Sequence, residues 1–90
     1  MSTMTQETAV LDRPPAVPLP VQVADHYERL IRGGTLKPGD RLPYVSEMAA
    51  LWRIAPPTAH RVMVELRRRG LIRTKRGMGG GSFVLPAPPQ

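Results

Sequence analysis

Residues 54–84 read IAPPTAHRVMVELRRRGLIRTKRGMGGGSFV, and the reading of this stretch decides the fold. After the proline pair Pro56 and Pro57, the residues Ala59, Val62, Met63 and Leu66 recur at i, i+3, i+4 and i+7, the spacing of a helix with one face on a core. At about 100° per residue the far side carries Pro57, Arg61, Val64 and Arg68. His60 and Arg67 lie on one flank, Thr58 and Glu65 on the other. Gly70 stops the helix, Leu71 to Lys75 has strand composition, Arg76 to Gly81 is a glycine-rich tip, and Ser82 to Leu85 returns as a second strand. A helix followed by strand, tip and strand is the recognition half of a winged helix-turn-helix.

Charge points the same way. Seven basic residues lie in this segment (Arg61, Arg67, Arg68, Arg69, Arg73, Lys75 and Arg76) against the single acid Glu65, so it carries +6, the net charge of the whole chain. Elsewhere six basic and six acidic residues cancel. A local cationic excess on a helix and hairpin suits a polyanion, because each neutralised phosphate releases counterions. The alternative is a solvated basic face.

Working outward, Met1 to Pro20 contains Pro14, Pro15, Pro18 and Pro20 without helical or alternating pattern, and is expected to be a mobile, near-neutral arm. From Val21 the stripe Val23, Ala24, Tyr27, Leu30 and Ile31 predicts a first helix ending at Gly33 and Gly34. Pro38-Gly39 sets a turn. Arg41 to Pro43 is expected to be a short third, edge strand beside the hairpin. Tyr44 to Trp52 predicts a two-turn helix with Met48, Ala49, Leu51 and Trp52 inward, and with Tyr44 or Ser46 near its start. The fold class is therefore mainly α with a small β-wing: three helices and a two- to three-stranded antiparallel sheet. The folded domain is expected over residues 21–85, with 86–90 as a tail.

Several function classes are excluded. No cysteine is present, and His26 and His60 stand far apart without carboxylates spaced around them, so no metal or other cofactor is expected. No catalytic triad or paired carboxylates are visible, and a chain of 90 residues builds only a small core, so an enzyme is not expected. No apolar run approaches the roughly 18 to 20 residues of a membrane span, and the polar start is no signal peptide, so the expected location is cytoplasmic, in contact with the nucleoid. Gly77-Met78-Gly79-Gly80-Gly81 is rich in glycine, yet neither a helix nor Gly-Lys-Ser/Thr follows, as a nucleotide-cradling loop requires.

The pieces GGTLKPGDRLP, SEMAALW, PTAHRVMVELRRRGLI and RGMGGGSFV resemble the winged-helix DNA-binding domain of the GntR family of bacterial transcription regulators. The resemblance spans about residues 21–84. It implies operator binding by a dimer, with the third helix in the major groove and the wing near the minor groove. It also implies a larger carboxyl-terminal effector-binding domain, for which the residues after Leu85 offer no counterpart, so no small-molecule effector site is expected and dimerisation should be weak or confined to DNA.

Departures from the family pattern bear on specificity. Where the resemblance implies arginines, this chain has Ser46, Pro56 and His60. Arginine offers a fork to guanine O6 and N7, serine one hydroxyl, proline no donor, and histidine one ring N–H to a given acceptor. The operator is thus expected to differ from the usual one, with His60 and Ser46 on base edges and Pro57 and Val64 against thymine methyls. The usual serine before the recognition helix is Ala55, so either Ala55 or Pro56 caps it. Arg53 stands where the family often has glycine, and a left-handed conformation there costs about 1 to 2 kcal/mol.

The expected DNA-facing set is Tyr44, Ser46, Pro57, Thr58, His60, Arg61, Arg68, Arg73, Lys75, Arg76, Gly77, Met78 and Gly79. The expected function is sequence-specific binding of double-stranded DNA as a small repressor or autoregulator. Two alternatives stay open: a winged-helix adaptor between proteins, and an architectural or plasmid-maintenance DNA binder.

Overall fold

The computed structural model describes residues 17–86. The proposed arm up to residue 16 and the last four residues lie outside them. Helix α1 spans Leu19–Arg32, α2 Val45–Trp52 and α3 Pro56–Arg68; strands β1 (Ile72–Lys75) and β2 (Gly81–Val84) follow.

Helix α1 begins two residues before the expected boundary. Pro18 is extended (φ −64, ψ 150), and its carbonyl accepts from Val21 at 3.0 Å and Gln22 at 3.2 Å, while Pro20 sits in the first turn, where its missing N–H has no helical acceptor to lose. Val23, Ala24 and Tyr27 face the core. The exit is made by Gly34 at φ +85, with Leu36 N–H donating back to Leu30 O at 3.0 Å.

The expected third strand is reduced to a single bridge between Arg41 and Phe83. Leu42 N–H donates to Ser82 O at 2.8 Å, but Pro43 has no N–H to continue the ladder, and the chain turns into α2. The sheet therefore has two strands, antiparallel, pairing Ile72 with Val84, Arg73 with Phe83, Thr74 with Ser82 and Lys75 with Gly81.

In α2 the inward residues are Met48, Ala49 and Trp52, but Leu51 is 69% exposed. Met48, Ala49 and Trp52 share one arc of about 100°, and Leu51 falls outside it by about 60°. Glu47 accepts the Tyr44 N–H at 2.8 Å, closing the start of α2. Arg53, where the family often has glycine, takes the left-handed conformation (φ 54, ψ 49) and hands the chain to α3. The cap of α3 is Ala55 (φ −65, ψ 146), with Pro56 and Pro57 both inside the helix. Carbonyl 55 takes the N–H groups of Thr58 and Ala59 at 2.9 and 3.0 Å, so the two prolines leave few donors to be capped.

Helices α1 and α2 both pack on α3. Their shared core is Val23, Ala24, Tyr27, Leu42, Met48, Ala59, Val62, Met63, Leu66, Leu71 and Ile72. Trp52 seals one edge, half-buried, with Nε1 donating to the Tyr27 hydroxyl at 2.9 Å and its ring edge-on to His26 at 5.0 Å. Gly70 at φ +75 ends α3 and aims Leu71 and Ile72 back at the core, which hangs the wing from the recognition helix.

Candidate nucleic-acid interface

Helix α3 presents three surfaces besides its core stripe. On the side toward α1, Arg69 just past the helix end is drawn inward: Nη1 lies 2.8 Å from both Asp25 Oδ1 and Glu28 Oε1, and Nε lies 2.8 Å from Glu65 Oε2. Its side chain is 17% exposed. One of the seven cations is therefore structural, and the outward-facing charge of the segment is smaller than its sequence suggests. Arg68 and Arg69 hydrogen-bond to Glu65 and hold its carboxyl well below the usual range, at about 2. Glu28 is likewise lowered, chiefly by the hydrogen bond from Arg32.

The outward surface carries Pro57, Arg61, Val64 and Arg68, all exposed. Arg61 has no ion pair among the described residues, whereas Arg68 grips Glu65 through Nε (3.1 Å) and Nη2 (2.6 Å). The Arg68 side of that pair is open to solvent, at 70% exposed, while Glu65 is 16% exposed. Thr58 is half-buried beside this strip.

Toward the wing, α3, the start of α2 and the hairpin enclose a cleft of about 530 Å³ lined by Pro43, Tyr44, Val45, His60, Met63, Arg67, Thr74, Arg76, Gly81 and Ser82. His60 is exposed at its mouth. Arg67 Nη1 donates to Thr74 Oγ1 at 2.9 Å, tying helix to wing, and Thr74 Oγ1 stands 3.4 Å from Ser82 Oγ.

Strand alternation divides the wing's cations. Thr74 faces the cleft, so Arg73 and Lys75 project from the opposite face of β1, with Phe83 beside them over a depression that includes Pro38 and Gly39. Of the expected wing cations, the cleft brings together only Arg76 with His60 and Tyr44. Ser46 is exposed on the first turn of α2 but does not line the cleft. At the tip Gly77 and Gly79 have φ +87 and +68, Gly80 N–H donates to Gly77 O at 2.9 Å, and Met78 is 94% exposed.

Three polar residues near this surface fall outside the expected set, Arg67 and Thr74 in the cleft lining and Arg41 outside it. Arg67 was recoverable from the helical wheel, where it shares the His60 flank, and Thr74 from the two-residue period of β1. Arg41, whose guanidinium lies 4.4 Å over the Tyr44 ring, carried no signal in the sequence.

Three helices, the second and third joined through the left-handed Arg53, with a two-stranded wing hung from the third, define a winged helix-turn-helix domain. Residues 19–84 match the model of the bacterial regulatory proteins of the gntR family, and the chain belongs to that family. It is 43% identical over 63 residues to the HTH-type transcriptional regulator YhcF of Bacillus subtilis, covering 69% of this chain and 51% of the relative. It is 36% identical over 69 residues to the HTH-type transcriptional repressor YtrA of the same organism, covering 77% and 53%. Among solved structures, AraR(DBD) in complex with operator ORR3 superposes with a TM-score of 0.67 at 25% identity, covering 76% of this chain and 80% of that one. The chain thus spans about half the length of these two curated relatives.

Proposed function

We propose that this chain reads a duplex DNA operator with α3 in the major groove and the wing on the adjacent backbone, and that it acts as a transcriptional regulator of repressor type, in two copies on a paired site. The observation that carries the reading is the continuity of the exposed strip Pro57, Arg61, Val64 and Arg68 with the His60, Arg67 and Arg76 side of the cleft. It gives one convex helix edge, polar and cationic, narrow enough for a groove about 12 Å wide. Arg61 and Arg76 serve phosphates, His60 and Ser46 offer hydrogen bonds to base edges, and Pro57 and Val64 offer apolar contact to thymine methyls. Thr58, Arg68, Arg73, Lys75, Gly77, Met78 and Gly79 complete the surface toward the flanking backbone, with Arg73 and Lys75 reaching it from the wing's outer face. The operator complex of AraR(DBD) supports operator binding by this fold, and the naming of YtrA as a repressor supports the sign.

Among the described residues no helix is long and apolar enough to cross a membrane, and no group of acidic or histidine side chains is placed to hold a metal ion. We place the protein in the cytoplasm with the chromosome and assign it no catalytic activity. Fluorescence anisotropy of a labelled duplex titrated at several salt concentrations tests the reading. The logarithm of affinity should fall linearly with that of salt, and Arg76→Ala should lower the slope by about 1 while weakening all sequences alike. No duplex binding at low salt overturns it.

A further inference from the structure

Tyr44 stands at the joint between the start of α2 and the wing. Its N–H is fixed by Glu47 at 2.8 Å, its ring lies beneath the Arg41 guanidinium at 4.4 Å, and its hydroxyl points to Gly80 O at 3.4 Å. The wing is shaped to receive it. A Cβ on Gly81 would stand 3.1 Å from Arg41 Cδ and 3.6 Å from Tyr44 Cε1, and Gly81 has φ +143, so the backbone there approaches the Arg41–Tyr44 pair as only glycine allows. Gly80 is tighter still, with a Cβ site 2.5 Å from Lys75 O. The ring is nonetheless 48% exposed and contributes nothing to the buried core.

We infer that Tyr44 is a positioning residue: with Arg41 it braces the glycine end of β2 against the start of α2 and so sets where the wing, and Arg76 on it, meets DNA. Among the described residues the wing is otherwise held toward its tip by two hydrogen bonds at the Thr74–Ser82 pair, from Arg67 to Thr74 and from Leu42 N–H to Ser82 O, since Pro43 has no N–H to carry the third segment further along the sheet. An aromatic–cation stack on a partly exposed surface is weak in stability and effective in geometry, because a two-strand hairpin alone resists bending poorly. This inference rests on the DNA-binding reading for its consequence but not for its geometry.

Tyr44→Ser is the decisive variant, since serine is a good helix cap and preserves the start of α2 while removing the ring. Two measurements follow. In heteronuclear NOE spectra of the free protein, Gly77, Gly79 and Gly80 should lose order in Tyr44→Ser while Val62 and Leu66 keep theirs. In duplex titrations, Arg76→Ala should weaken native protein at least about twofold more than it weakens the Tyr44→Ser background, the coupling expected of residues acting as a unit. Tyr44→Phe, which keeps the stack, should behave as native in both. Unchanged wing-tip order in Tyr44→Ser, additive losses in the cycle, or a Phe variant that behaves like Ser each overturns the inference. Failure of the native protein to bind duplex removes the functional reading instead, and the NOE comparison still decides the brace.

Discussion

Arg69 separates a cation that holds the fold from one that meets DNA, and Arg69→Met isolates it because methionine keeps much of the stem and removes the charge. Its three carboxylate partners differ in exposure: Glu65 16%, Glu28 24% and Asp25 47%. Exposed pairs contribute about 0.2 to 1 kcal/mol, while breaking a buried pair costs about 3 to 5 kcal/mol. A guanidinium that is 17% exposed against these partners lies between those limits, at about 2 kcal/mol. For a domain of this size each kcal/mol moves Tm by about 4 to 8 °C, so the melt followed by Trp52 fluorescence should fall by about 8 to 16 °C.

Acid supplies a second signature. The Glu65 carboxyl is held down at about 2 by Arg68 and Arg69. A depressed carboxylate contributes stability that is present above its unfolded pKa, about 4.3, and lost as pH falls through the folded value. Native protein should therefore lose stability between about pH 4.3 and 2, and Arg69→Met should lose less in that window. The slope of DNA affinity against salt should be unchanged in the variant. An unchanged Tm together with a slope reduced by about 0.9 would refute the structural assignment and return Arg69 to the phosphates.

Leu66→Ala, at a fully buried position of α3, should cost about 2 to 5 kcal/mol in urea or thermal unfolding, and a near-native midpoint would show the core to be packed differently. His60→Ala should lose about 1 to 3 kcal/mol on the cognate duplex and relax preference at one base pair; equal losses on random DNA would assign it to the backbone instead. Deleting residues 1–16 should leave Tm within about 2 °C, whereas deletion through Pro20 should lower it clearly, because carbonyl 18 caps α1; equal melting of the two truncations would contradict that role. Gly70→Ala should destabilise by about 1 to 2 kcal/mol, since alanine at φ +75 is strained, with circular-dichroism melts as the check.

The helical stripe of α3, the stop at Gly70 and the turn at Gly39 are legible because each rests on local chemistry, periodicity or positive φ, whereas the left-handed Arg53 is legible only through the family resemblance that puts glycine there. The misplacements arose where local chemistry is indifferent. Pro18 and Leu19 read as arm because proline suits both an extended segment and a helix cap, and only the packing of Val23 and Ala24 on α3 decides between them. Leu51 read as inward because a two-turn helix has too little length for periodicity to fix its axis. The fate of Arg69 depended on Asp25 and Glu28, some forty residues earlier, and no spacing rule connects them. Likewise, the division of the wing into a cleft face with Arg76 and an outer face with Arg73 and Lys75 follows from the register of β1 with β2.

Sequence-specific recognition of duplex DNA is tested most directly by selecting bound fragments from a random duplex library with the purified protein, then comparing the recovered site with random duplex at one stated salt concentration. Recognition by paired copies should enrich two related half-sites spaced by about one helical turn, roughly 10 base pairs, with an affinity ratio of at least about 10³. Recovery of sequences without a common motif, bound no better than random duplex, would contradict it.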